Sequence, residues 1–104
     1  MSGLVNNKVV IVTGAARGIG AGIAADLAEK GAHVVIADLN ADAARKTASK
    51  ISSGGNNAIA VAVDVSSRAS VKALIDQTVS RFGRLDVMFN NAGINQPLNF
   101  LDVT

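Results

Sequence analysis

A continuous apolar run that passes directly into a glycine-rich segment constrains the fold of this chain most. Val9 to Val12 are all β-branched, and Gly14, Gly18 and Gly20 follow them. An uninterrupted β-branched run is typical of a strand that is covered on both faces, as in a parallel sheet. The Ala/Ile/Leu pattern that comes next predicts a helix. Strand, glycine turn and helix in this order present backbone N–H groups and a helix N-terminus to a phosphate.

Three further apolar runs predict three more strands, and each ends in polar residues or glycine. These strands are predicted at residues 33–37, 58–63 and 85–90, with a helical segment before each of them. Strands and helices that alternate through short connections form a parallel sheet with right-handed crossovers. The sequence therefore predicts an α/β domain with the order βαβαβαβ.

Helical periodicity accounts for the three segments between the strands. The first helix is predicted from about residue 18 to residue 30, with Gly31 as its C-terminal stop. Asn40 is expected to cap the second helix, and Ser66 or Ser67 the third. The predicted buried residues are Ile19, Ile23 and Leu27, with Ala24 and Ala28 alongside, in the first helix; Ala44, Ala48 and Ile51 in the second; and Val71, Leu74, Ile75, Thr78, Val79 and Phe82 in the third.

Composition limits the class of protein. The chain has 104 residues, of which 49% are hydrophobic, and this is enough for one domain, 1–104. The ten Lys and Arg residues are scattered, so nucleic-acid binding has little support. There is no cysteine, no signal peptide pattern and no apolar run of the ~18 residues that a membrane span needs. These features predict a cytoplasmic protein.

Asp38 adds a second candidate contact for a nucleotide. It lies eighteen residues after Gly20, at the predicted end of the second strand. A carboxylate in this position accepts hydrogen bonds from both hydroxyls of an adenine ribose and repels a 2′-phosphate, which favours NAD over NADP. Arg17 in the glycine segment favours NADP instead, because a guanidinium pairs well with a 2′-phosphate. Two alternatives stay open: Asp38 as a helix-capping residue, and a glycine turn that binds nothing.

Polar residues or glycine follow all four predicted strands. Asp64 ends the third strand, and Asn90-Asn91-Ala92-Gly93 ends the fourth. The carboxyl ends of parallel strands meet at one edge of the sheet, which is where open α/β sheets bind their ligands. Any one of these residues is explained by turn chemistry alone, but four together indicate a binding site.

These segments together resemble the N-terminal part of the short-chain dehydrogenase/reductase family. Residues 13–20, Thr-Gly-Ala-Ala-Arg-Gly-Ile-Gly, fit the family pattern Thr-Gly-x-x-x-Gly-x-Gly. Asp64-Val65 and residues 90–93 fit its next two motifs, and the similarity runs from about Leu4 to residue 104. The resemblance implies a Rossmann-like, doubly wound parallel sheet with strand order 3-2-1-4. A methyltransferase-type nucleotide fold is a weaker alternative, which the Asn-Asn-Ala-Gly run opposes.

The resemblance also implies a function and a set of contacts. It implies an oxidoreductase that transfers hydride between the nicotinamide of NAD and a small alcohol or carbonyl substrate, in a homo-oligomer. Asn90 would mainly brace the sheet. The residues implied to bind the cofactor are Gly14, Arg17, Gly18, Ile19, Gly20, Asp38, Leu39, Asp64, Val65, Asn91, Ala92 and Gly93.

The catalytic residues of the family have no counterpart in this sequence. Family members use a Ser and a Tyr-x-x-x-Lys pair, and this sequence contains no tyrosine. We therefore expect a domain that is cut at the start of the helix after strand 4 and is inactive by itself. The alternative is a dinucleotide-binding module or an incomplete fragment without a reaction of its own. An apolar, unpaired edge on the fourth strand would then favour self-association.

Overall fold

The structure is a computed structural model, which describes residues 6–16, 18–55 and 57–91. Four strands and three helices alternate along this part of the chain, in the predicted order. Expectations for Arg17, for Ala92 and Gly93, and for the loop and chain end at 94–104 lie outside the described residues. The elements are β1 Val9–Thr13, α1 Gly18–Glu29, β2 His33–Asp38, α2 Ala41–Ser53, β3 Ala58–Ala62, α3 Arg68–Phe82 and β4 Val87–Asn90.

The four strands form one parallel sheet in the order β3-β2-β1-β4. In the centre, Val12 of β1 lies opposite Ile36 of β2 on one side and Phe89 of β4 on the other. All five residues of β1 are buried, as the uninterrupted β-branched run predicted. The predicted Rossmann-like α/β fold and its strand order are confirmed.

The helices cover the two faces of the sheet unequally. Side chains of α1 and α2 pack with Val10, Val12 and Ile36 on one face, and Leu74 of α3 packs with Ile11 on the other. The chain winds outward from β1 to β3 and then returns to the far side of β1. Because crossovers share one hand, this reversal moves α3 to the opposite face. The reversal places a topological switch point between β1 and β4.

The buried face of α1 agrees only in part with the prediction. Ile19 is 70% exposed, and Ile23 and Leu27 are only half-buried. Ala24 and Ala28 are buried as predicted, and Gly20 lies with them against the sheet, one position after the bulky residues at the same spacing of four. Small side chains let the helix axis approach the sheet closely, so the bulky residues lie at the flank of the contact.

The other two helices agree better with the prediction. Asn40 caps α2 and Ser67 caps α3, each by accepting a backbone N–H three residues on. Gly83 ends α3 in the left-handed conformation, at φ 80°. The buried residues predicted for α2 are confirmed. In α3, Leu74 and Thr78 are buried, but Val79 is 42% exposed, so its assignment to the buried stripe was wrong.

Two strands are shorter than predicted. β3 ends at Ala62, so Asp64 lies two residues beyond the strand, and β4 begins at Val87. Within the described residues β4 pairs only with β1, and its Val87 and Phe89 side chains are exposed on the face that carries α1 and α2. Self-association through this edge stays a prediction.

No helix in the described part of the chain is long and apolar enough to cross a membrane.

Candidate functional site

The glycine-rich loop joins the carboxyl end of β1 to the start of α1. Gly14 and Gly18 both have positive φ angles, 63° and 64°. A side chain is strained in this conformation, so glycine is required for the loop to turn here. The Ala15 N–H donates to the Ala37 carbonyl at 3.3 Å, which ties the loop to the end of β2. The loop thus follows β1, which borders the switch point, and is fixed against the end of β2.

Gly20 lies where α1 and the loop are closest to each other. A Cβ built on Gly20 would stand 2.3 Å from the Gly14 carbonyl oxygen and 2.7 Å from Asn91 Nδ2. Asn91 Nδ2 also donates to the Gly14 carbonyl at 3.3 Å, so the residue after β4 helps to hold the loop in place. Its other amide atom, Oδ1, is buried without a hydrogen-bond partner among the described residues. Asn91 thus has a bracing contact that the sequence did not predict.

A buried side-chain contact joins β1 to β4 beside this loop. Thr13 is fully buried, and its Oγ1 donates to Asn90 Oδ1 at 2.8 Å. The two residues lie opposite each other in the parallel register. This contact agrees with the bracing role that the resemblance implied for Asn90.

The Asp38 carboxylate contacts the glycine-rich loop directly. Its Oδ2 accepts the Ala16 N–H at 3.1 Å, and its Oδ1 accepts the Asn40 N–H at 3.0 Å. Asp38 therefore links the loop to the N-cap of α2, and it does contribute to capping. The capping alternative and the nucleotide site are compatible, since the same half-buried carboxylate lies at the loop.

Thr47 holds the same loop residue from the other side. Its Oγ1, on α2, donates to the Ala16 carbonyl. Thr47 was not among the predicted site residues, because nothing in the local pattern of α2 indicates a partner 31 positions away. Ala16 is buried and has both its N–H and its C=O bonded to side chains of other elements.

Asp64 is held in a tight turn after β3. Its Oδ1 accepts both the N–H and the hydroxyl of Ser66, at 3.0 and 2.6 Å. These two bonds hold the pKa of Asp64 below its usual value of 3.8, so the side chain is ionised at neutral pH. Its own N–H donates to Ser70 Oγ at 2.9 Å. The carboxylate stays exposed at the same edge of the sheet as Asp38.

Three apolar side chains are exposed at this edge. Ile19 begins α1, Leu39 follows β2 and Val65 follows β3, and their exposed fractions are 70%, 75% and 42%. Exposed apolar residues grouped with a few polar ones are typical of a binding surface. The described members of the predicted site thus lie in the glycine-rich loop, in the first turn of α1, or at and just beyond the carboxyl ends of β2, β3 and β4.

Two other residues have structural roles at the opposite edge of the sheet. Asp86 Oδ2 accepts the Val9 N–H at 2.8 Å and so supplies the first backbone donor of β1 with a partner. The Arg84 guanidinium, and then this N–H, hold the pKa of Asp86 below 3.8. His33 begins β2, and its ring lies 5.4 Å from that of Phe82, which agrees with a packed rather than a catalytic histidine.

A shallow depression of about 580 Å³ runs along α2. All of its walls come from one helix, so it is an open surface and not a cleft between elements. We assign it no ligand. Its lining residues are Arg45, Lys46, Thr47, Ser49, Lys50 and Ser53.

Comparison with known proteins decides the family. The family model described as short chain dehydrogenase matches residues 8–104. The chain belongs to the short-chain dehydrogenase family. Its fold is also that of a solved hydroxysteroid dehydrogenase from Escherichia coli, with a TM-score of 0.81 and 40% sequence identity over 83% of this chain and 37% of that one.

Several curated short-chain dehydrogenases are similar in sequence. An L-fucose dehydrogenase from Oryctolagus cuniculus is 46% identical over 93% of this chain and 33% of its own length. A versicolorin reductase from Emericella nidulans is 45% identical over 95% of this chain and 38% of its own. A cis-4-hydroxycyclohexanecarboxylate dehydrogenase from Sinomonas cyclohexanicum is 48% identical over 92% and 39%. The chain spans between a third and two fifths of the length of these relatives.

Proposed function

We propose that this chain binds the adenosine and pyrophosphate part of NAD in an oxidoreductase of the short-chain dehydrogenase family. The substrate would be a small alcohol or carbonyl compound. One observation carries the proposal: a carboxylate at the end of β2, Asp38, contacts the glycine-rich loop at the switch point of the sheet. Ligands in open α/β sheets bind at such a point.

The hydrogen bonds of Asp38 leave room for a ribose. An ionised carboxylate offers about four acceptor positions. Ala16 and Asn40 occupy two of them, one on each oxygen. The remaining positions suit the two hydroxyls of the adenine ribose, whereas a 2′-phosphate would be repelled by the negative charge. This charge supports NAD over NADP.

The loop suits a pyrophosphate for two reasons. The N-terminus of α1 is exposed at Gly18 and Ile19, and a helix N-terminus attracts negative charge. A Cβ on Gly18 would meet nothing within 4 Å, so there is open space beside the helix start. Leu39, Asp64 and Val65 would contact the adenine. The other residues of the proposed cofactor site are Gly14, Arg17, Gly20, Asn91, Ala92 and Gly93.

The nicotinamide ring of NAD supplies the hydride chemistry when it is bound. The residues of this chain bind and orient the adenosine end, and none of them is proposed as catalytic. The absence of tyrosine from the sequence favours a second candidate, a dinucleotide-binding chain with no reaction of its own. Incubation of the 104-residue chain with NAD and a panel of alcohols separates the two. We expect saturable binding without turnover, and turnover would contradict the expectation.

Calorimetric titration with NAD and NADP tests the cofactor. We expect the wild-type chain to bind NAD at least about tenfold more tightly than NADP, because of Asp38. Asp38→Asn removes a charged acceptor, so NAD affinity should fall by about tenfold or more, while NADP affinity falls less. A loosened loop would weaken both nucleotides equally, so the ratio of the two affinities reports the ribose contact itself.

Asp76→Asn is the matched control for this experiment. Asp76 is an exposed acid on α3 that pairs with Lys72 at 2.9 Å, so the variant changes the net charge by the same amount at a distance from the loop. We expect it to leave both affinities within twofold, on the order of experimental scatter. Equal wild-type affinities for NAD and NADP, or an unchanged ratio in Asp38→Asn, would contradict the proposal.

A further inference from the structure

Thr47 makes an unusual contact for a helical threonine. Threonine hydroxyls inside helices commonly bond back to the carbonyl four residues earlier. Thr78 of α3 does this, since its Oγ1 donates to the Leu74 carbonyl at 2.8 Å. The Thr47 hydroxyl leaves its own helix and donates to the Ala16 carbonyl in the glycine-rich loop. A half-buried hydroxyl thus connects α2 with the loop.

The contact completes a brace around one residue of the loop. The N–H of Ala16 is held by Asp38 Oδ2 and its C=O by Thr47 Oγ1. Asp38 in turn accepts the N–H of Asn40, the N-cap of α2. These two bonds restrain the backbone of Ala16 at both its N–H and its C=O, shortly before α1 begins. The orientation of this part of the loop therefore depends on α2 as well as on β2.

We propose that Thr47 is a positioning residue for the pyrophosphate-binding loop. This inference rests on the proposed function. Its hydroxyl acts through Ala16 and contacts no cofactor atom. By holding the loop in its binding conformation before the ligand arrives, it removes part of the ordering cost of binding. Nothing in the family pattern of the loop, residues 13–20, includes this helix position.

Three variants separate the hydroxyl from the rest of the side chain. Thr47→Val has the same shape but no donor, and Thr47→Ser restores the donor. Thr78→Val makes the same chemical change in a helix that is remote from the loop. We expect Thr47→Val to weaken NAD binding about fivefold, the effect of one net hydrogen bond. Thr47→Ser and Thr78→Val should remain within about twofold of the wild type.

Two further measurements distinguish positioning from a loss of stability. Adenosine, titrated by NMR, lacks the pyrophosphate, so its affinity should change less than about twofold in Thr47→Val. A general loss of folded protein would weaken adenosine and NAD alike. Hydrogen exchange at the Ala16 amide should become about fivefold faster in Thr47→Val, relative to the Val35 amide in the centre of the sheet.

The outcomes separate this inference from the proposed function. If the wild-type chain binds no NAD, the proposed function fails, and the cofactor part of the inference fails with it. Exchange at Ala16 still decides whether the brace exists. If the wild type binds NAD and Thr47→Val matches it in affinity and in Ala16 exchange, Thr47 has no positioning role. Failure of Thr47→Ser to restore the affinity would also contradict a role for the hydroxyl.

Discussion

Substitution of Gly20 by alanine tests the close contact on which the loop depends. The added methyl would lie 2.3 Å from the Gly14 carbonyl oxygen and 3.0 Å from the Ala15 Cα. It would also lie 2.7 Å from Asn91 Nδ2, which donates to the same carbonyl. Ordinary contact begins near 3.4 Å, so backbone must move by about 1 Å. The Gly14 carbonyl and the Ala15 Cα belong to the backbone, so they cannot move aside by a rotation as the end of a side chain can.

The magnitude follows from two opposed effects. Overpacking of a well-packed contact costs about 1–3 kcal/mol. Alanine in place of glycine inside a helix stabilises the helix by about 0.5–1 kcal/mol. We therefore expect Gly20→Ala to lower the free energy of unfolding by about 1–2 kcal/mol, or the melting temperature by about 5–15 °C for a chain of this size. NAD binding should weaken as well, because the Gly14 carbonyl belongs to the proposed pyrophosphate loop.

Gly22→Ala is the control, two residues further along α1. Gly22 is exposed, and an added Cβ would meet nothing within 4 Å. This variant keeps the gain in helix propensity without the clash, so it should raise the free energy of unfolding by about 0.5–1 kcal/mol. Thermal unfolding followed by circular dichroism measures the stability of both variants. A Gly20→Ala protein as stable as Gly22→Ala, with unchanged NAD affinity, would refute the close-contact argument.

Two further predictions concern the sheet. Because the pKa of Asp86 is lowered in the folded state, its contribution to stability is present above pH 3.8 and is lost as the pH falls below that value. Acid titration of unfolding should thus be less steep in Asp86→Asn than in the wild type, and equal slopes would contradict the lowered pKa of Asp86. Thr13→Val keeps the volume but removes the donor to Asn90 Oδ1, so the free energy of unfolding should fall by about 1 kcal/mol in urea. An unchanged urea midpoint would show that this bond contributes nothing.

Local patterns were sufficient for much of the fold. The β-branched run from Val9 to Val12 identified a fully buried strand, and the alternation of elements identified the parallel sheet. Each single element is indicated by a pattern within about ten to fifteen neighbouring residues. The gathering of Asp38 and Asp64 at one edge followed from topology alone, since parallel strands end on the same side. None of these conclusions required a distance between side chains.

The buried face of α1 shows where local patterns were insufficient. Two stripes with the same spacing run along this helix, one of bulky residues such as Ile19 and Ile23, the other of Gly20 and Ala24. Hydrophobicity favours the first stripe. The structure buries the second, because the loop carbonyl of Gly14 lies too close for a side chain. This short distance arises only when the helix packs against the loop, so the hydrophobic periodicity of the helix does not reveal it.

The sequence alone determined the order of the elements, the parallel α/β sheet and the edge of the sheet at which Asp38 and Asp64 gather. Only the tertiary structure decided what holds the glycine-rich loop in place. Thr47 is 31 residues from Ala16, and Asn91 is 77 from Gly14. Strand and helix periods repeat every two to four residues or so, so they carry no information about partners this far apart. Such contacts are set when helices and strands pack, and they decide the shape of the proposed site.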